Sequence, residues 1–98
     1  MSYEQIITAD RRLLILRALV ATKDYTLGDR LIASFLRSMG HAASHAVVAA
    51  DLDWLANEGL AQLQHAEGLT IARLTDRGLD VAEGRERHPG VRRPEPGE

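Results

Sequence analysis

The residues with most to offer chemically are four histidines and a scatter of arginines in a chain with no cysteine. His41 and His45 stand four apart, a spacing that can set two imidazoles on one helical face around a metal ion. Ser44 lies between them, however, and has the character of a helix N-cap, so a helix start separates the pair. His65 and His88 lie elsewhere, and no His and carboxylate set completes a metal site. The absence of cysteine removes thiolate nucleophiles, disulfides and cysteine-bound zinc. No nucleophile stands beside a base, and there is no glycine-rich phosphate loop or paired carboxylates in a pocket-like context. The sequence predicts neither an enzyme nor a cofactor.

The arginines point to a different chemistry, contact with phosphate. Arg37, Arg73, Arg92 and Arg93, aided by His41 and His45, are the candidates for meeting the backbone of double-stranded DNA. Arg73 falls in a predicted hairpin. Arg92 and Arg93 fall in a proline-containing tail, whose arm is suited to a minor groove or an acidic protein groove. The formal net charge of −2 argues against strong nucleic-acid affinity, which normally comes with a basic excess. Glu86, Glu95 and Glu98 share the tail, and charges in tails commonly just solvate.

The elements that must position these groups read as follows. A length of 98 residues with 45% hydrophobic and 27% charged residues describes one globular domain. With 4% aromatics, its core must be built from Leu, Ile, Val and Ala. Ser2 to Gln5 has capping-box spacing, which starts a first helix running to about Ala21. Residues 13–20 are apolar around most of that helix, more than one small domain needs to cover it, which predicts a homodimer. Thr26 and Asp29 then offer a second helix start. Leu27, Leu31, Phe35 and Met39 follow at four-residue spacing, and Gly40 suits the helix end. Ser44 caps a third helix that Gly59 ends, with Val48, Leu52 and Leu55 inward.

Two apolar-rich stretches, 60–65 and 69–74, flank Ala66-Glu67-Gly68, a three-residue hairpin loop. Thr75 caps a short last helix to about Glu83. The order predicts a mainly α winged helix-turn-helix: three helices, a two-stranded wing and a short C-terminal helix, over residues 1–84. Residues 85–98, with all three prolines, read as an extended or disordered tail.

The outward face of the third helix tests the DNA reading. Such a face in a DNA reader carries Arg, Lys, Asn, Gln or Ser. Here it carries Ala46, Ala49, Ala50 and Asp53, and no Lys or Arg lies between Ser44 and Glu58. Small residues allow close approach of another helix, which suits a phage or host protein partner. Trp54, the only tryptophan, either packs against the wing or the first helix or anchors such an interface.

Several segments together carry a resemblance: Asp10-Arg11-Arg12-Leu13, Asp51-Leu52-Asp53-Trp54-Leu55 with Gly59-Leu60, Leu74-Thr75-Asp76-Arg77-Gly78, and Pro89-Gly90-Val91-Arg92-Arg93-Pro94. The chain resembles a family of small proteins of Mu-like phages and prophages, sometimes labelled ArsR-like winged-helix regulators. The resemblance spans nearly the whole chain and implies a phage origin and a winged helix. The label implies a dimeric, metal-sensing DNA-binding repressor. This chain departs from it in lacking cysteine ligands and a basic recognition helix. The reading that follows is a non-catalytic, transcription-associated DNA-binding accessory factor, with a protein-interaction module as the alternative. No apolar run is of membrane-spanning length and no signal peptide opens the chain, which places it in the cytoplasm of a bacterial host.

Overall fold

The computed structural model describes residues 2–98. Helix α1 (Tyr3–Val20) opens with the capping box. The Gln5 N–H donates to Ser2 Oγ at 3.1 Å and the Ser2 N–H to Gln5 Oε1 at 2.9 Å. Leu13, Leu14, Ile15 and Leu16 are all buried, and no residue from Ile7 to Val20 is exposed. At 3.6 residues per turn, four consecutive side chains point in four directions. The rest of the chain therefore wraps α1 on every side. The apolar surplus behind the homodimer expectation is taken up within one chain along this stretch.

Strand β1 (Thr26–Gly28) follows a 3-10 turn over Lys23–Tyr25 and leads directly into α2 (Asp29–Ser38). Thr26 is thus not the start of a helix; Gly28 holds the N-cap position of α2. Helix α3 (His45–Asn57) begins at Ser44, whose Oγ accepts from the Val47 N–H at 3.2 Å. Strands β2 (Ala61–Ala66) and β3 (Leu69–Leu74) form the hairpin, and α4 (Asp76–Ala82) completes the elements.

β1 pairs antiparallel with β3, giving a three-stranded sheet in the order β1-β3-β2. The expected two-stranded unit is therefore corrected to an α+β domain of four helices and three strands. The pairing of Leu27 with Ala72 and of Ala72 with Leu63 lines up one sheet face. These three side chains join the core, while Arg73, between Thr26 and Gln62, is exposed on the other face. Ala66 pairs with Leu69, so the loop is two residues, not three. Glu67 and Gly68 both have positive φ, 51° and 78°, as a type I′ turn demands.

Residues 85–98 contain no helix or strand and return across α1. Val91 is buried in the core, and the Arg92 N–H donates to the Ala9 carbonyl at 3.1 Å. Among the described residues no helix is long and apolar enough to cross a membrane.

The start of α4 is held against the end of α3. Thr75 Oγ1 accepts from the Gly78 N–H at 2.9 Å and donates to the Gly59 carbonyl at 2.7 Å. Gly78 is buried, and a Cβ there would lie 2.0 Å from the Leu60 carbonyl oxygen and 2.7 Å from Leu74 Cδ1. Backbone cannot yield as a side-chain tip can. Gly78→Ala is expected to destabilise the domain by about 3 kcal/mol, the upper part of the overpacking range. Thermal denaturation followed by circular dichroism checks this; an unchanged midpoint would show that α4 sits more loosely.

Candidate functional site

Three consecutive residues of α1, Asp10, Arg11 and Arg12, gather most of the long-range polar contacts of the molecule. Asp51 of α3 is buried with a side-chain exposure of 4%. It accepts from Arg11 Nε and, at 3.3 Å, from Arg11 Nη2, while Arg12 Nε lies 3.6 Å away. The Arg12 guanidinium lies 3.7 Å over the Trp54 ring, and its Nη1 donates to the Gly90 carbonyl at 3.2 Å. His88 meets Trp54 edge-on at 5.1 Å and shares a hydrogen bond of 2.9 Å with Glu58. Trp54 therefore packs on the first helix and on residues 88–90. A Cβ at Gly90 would fall 2.5 Å from Trp54 Cζ2, so the contact requires glycine.

Asp10 joins the other two segments. His41 Nε2 lies 2.7 Å from Asp10 Oδ2, and Arg92 Nε donates to Asp10 Oδ1 at 2.6 Å. Burial opposes ionisation of Asp10, but its hydrogen bonds to His41 and Arg92 prevail and hold the carboxyl below its ordinary range. Arg92 also donates through Nη2 to Glu98 Oε1 at 2.7 Å. The hydrogen bond from Arg92 lowers the Glu98 carboxyl in the same direction. Arg92 is thus engaged by two carboxylates and is not on a free arm. His41 is held by Asp10, while His45 starts α3 and is exposed. Among the described residues no group of three or more His, Cys, Asp or Glu could hold a metal ion.

The remaining cations are distributed unevenly. Among the described residues, Lys23, Arg30, Arg37, Arg73, Arg87 and Arg93 make no ion pair, unlike the other six. Arg30 and Arg37 are two turns apart on the exposed side of α2. The one acid of α2, Asp29, is 5% exposed and accepts from the Thr70 N–H at 3.4 Å. The charge on the solvent face of α2 is therefore all positive, set among exposed Leu31, Ser34 and Ser38. Arg30 escapes a reading by motif, because a lone arginine in a helix carries no signal. On α3, Ala46, Val47, Ala50, Asp53 and Asn57 are exposed and Ala49 is half-buried. Asp51 is spent on Arg11 and Arg12, and Glu58 on His88, so only Asp53 presents an unpaired carboxylate there.

The clasp on the C-terminal segment should respond to acid. A carboxyl depressed in the folded state stabilises it fully above the unfolded value, and that contribution is lost as pH falls through the folded value. The side-chain carboxyl carbons of Asp10 and Glu98, followed by NMR beside the Trp54 emission, are expected to titrate below the ordinary carboxylate range. A transition centred within the ordinary range would contradict the network. Gly90→Ala should produce a changed emission already at neutral pH.

No family model matches the chain. The chain is 42% identical over 91 residues, covering 93% of its own length and 94% of the relative, to the uncharacterized protein gp26 of Escherichia phage Mu. It is also 34% identical over 80 residues to an uncharacterized protein of Haemophilus influenzae Rd, covering 81% of this chain and 78% of that one. The resemblance to Mu-like phage proteins is thereby shown: the chain belongs to the family of phage Mu gp26.

Proposed function

We propose that this is a winged-helix protein that binds double-stranded DNA through its phosphates, without catalysis, as an accessory factor in a phage-infected or prophage-carrying cell. The element order α1-β1-α2-α3-β2-β3 supports the winged-helix reading, with β1 closing the sheet and the hairpin serving as wing. The observation that carries the DNA reading is the face of α2, where Arg30 and Arg37 are exposed and the only acid is buried. Arg73 adds a further unpaired cation on the sheet. The objection from an acidic α3 weakens, since two of its flanking carboxylates are paired within the chain. Base reading stays slight, because α3 offers Ala46, Ala50 and Asp53 where a reader would offer arginine. Binding of this kind is weak, backbone-directed and steeply salt-dependent.

Fluorescence anisotropy on a generic duplex at low and near-physiological salt tests the reading. Replacing Arg30, Arg37 and Arg73 together by alanine is expected to flatten the salt slope by about 2.7, at ~0.9 for each phosphate no longer neutralised. Absence of binding at low salt, or an unchanged slope, would overturn the assignment.

A second reading, docking of a phage or host protein on α3, is favoured by one observation. Val47 is 36% exposed beside the small Ala46 and Ala50. Ala50→Arg separates the two readings: it should strengthen duplex binding if α3 faces phosphate, and block partner capture if α3 is a docking face.

A further inference from the structure

Arg92 and Arg17 face one carboxylate from two elements. Arg92 Nη2 donates to Glu98 Oε1 at 2.7 Å and Arg92 Nη1 to Glu98 Oε2 at 3.4 Å. Arg17 Nη1, from α1, lies 3.9 Å from the same Oε2. The Glu95 backbone N–H also donates to Oε2, at 2.8 Å. A guanidinium fork with a backbone N–H is how proteins hold a carboxylate or a phosphate. Asp10 anchors Arg92 Nε from behind, so the fork is oriented by α1 whether or not Glu98 is in place.

The carboxylate sits at an open groove of about 950 Å³ between the ends of α1 and α4 and residues 93–98. Arg93 lines the same groove, with Val20, Ala82 and Pro94 as the apolar part of its wall. Glu83, also in the lining, is already paired with Arg85. Glu98 itself is held only at the surface, with a side-chain exposure of 32%. Ion pairs at such exposure are weak, and a small anion in solution can compete with them.

We infer that Arg92 and Arg17, which meet at Glu98 on the edge of this groove, form an oxyanion site for a small phosphate, and that Glu98 is its built-in, displaceable occupant. A small anion is preferred over a duplex for two reasons. The C-terminal ends of α1 and α4 border the groove with partial negative charge, and the unpaired Glu95 lines it. A single phosphate held at the guanidinium fork meets fewer of these groups than a polyanion laid along the groove. The site is separate from the α2 and β3 cations, so it stands or fails independently of the DNA reading.

The test is an inorganic phosphate titration of the full chain at constant ionic strength, read on the arginine Nε–H resonances by NMR. Glu98→Gln should tighten phosphate binding about fivefold, the occupancy of a surface ion pair at the upper end of its usual strength. The perturbed resonances should include Arg17 and Arg92, and adding Arg17→Ala should remove the gain. Equal affinity in the two proteins, or resonances that shift elsewhere, would overturn the inference. So would a Glu98→Gln gain in duplex binding with none for phosphate, which would make Glu98 a mask over a nucleic-acid surface instead.

Discussion

The fold depends on one constraint, the apolar circumference of α1. Leu13 to Leu16 are four adjacent residues, all removed from water, and a helix cannot point four neighbours the same way. Covering them requires material on all sides. α2 and α3, the sheet, α4 and Val91 of the C-terminal segment together supply the core in which they are buried. A fully buried leucine or isoleucine side chain contributes on the order of 2 kcal/mol, so each face of α1 left bare would cost a large part of a domain's marginal stability. The sheet and the helices are thus arranged around α1.

Such a helix leaves little room for polar residues, and they concentrate where it emerges. Asp10, Arg11 and Arg12 occupy successive positions and so face successive directions. Asp10 reaches the turn before α3 and the C-terminal segment, Arg11 reaches Asp51 of α3, and Arg12 reaches both Trp54 and Gly90. Desolvated charges are tolerable only when matched and hydrogen-bonded. Asp51 accordingly has two arginines, and the Arg12 guanidinium over Trp54 also donates to the Gly90 carbonyl. The polar cluster fixes the position of a segment that has no helix or strand of its own to hold it.

Much of this was legible locally. The caps Ser2, Ser44 and Thr75, the hairpin and the inward stripe Val48, Leu52, Leu55 all depend on residues a few positions apart, and the sequence displays them directly. β1 was not legible, because Leu27 satisfies both the helical spacing with Leu31 and the strand alternation that pairs it with Ala72. Only a partner 45 residues away decides between them. The polar cluster lies beyond reach for the same reason: Asp10 and Arg92 are separated by 82 residues, and neither has a local feature that names the other. The tail's prolines suggested an arm, but the core contact of Val91 and the glycine that admits Trp54 outweigh its composition.

The same distinction governs the electrostatics. A formal charge of −2 describes the molecule seen from far away. At physiological ionic strength a phosphate senses charges within about 8 Å, and within that range pairing decides the field. Half of the cations are neutralised by carboxylates inside this chain, and they lie on α1, α4 and the C-terminal segment. On α2 the pairing runs the other way: its acid is turned into the core and its arginines are left in water. A chain that is acidic in sum thus presents unpaired arginines on α2. Net charge does not show where positive charge stands unpaired, whereas pairing within the chain leaves Arg30 and Arg37 of α2 without a carboxylate partner among the described residues.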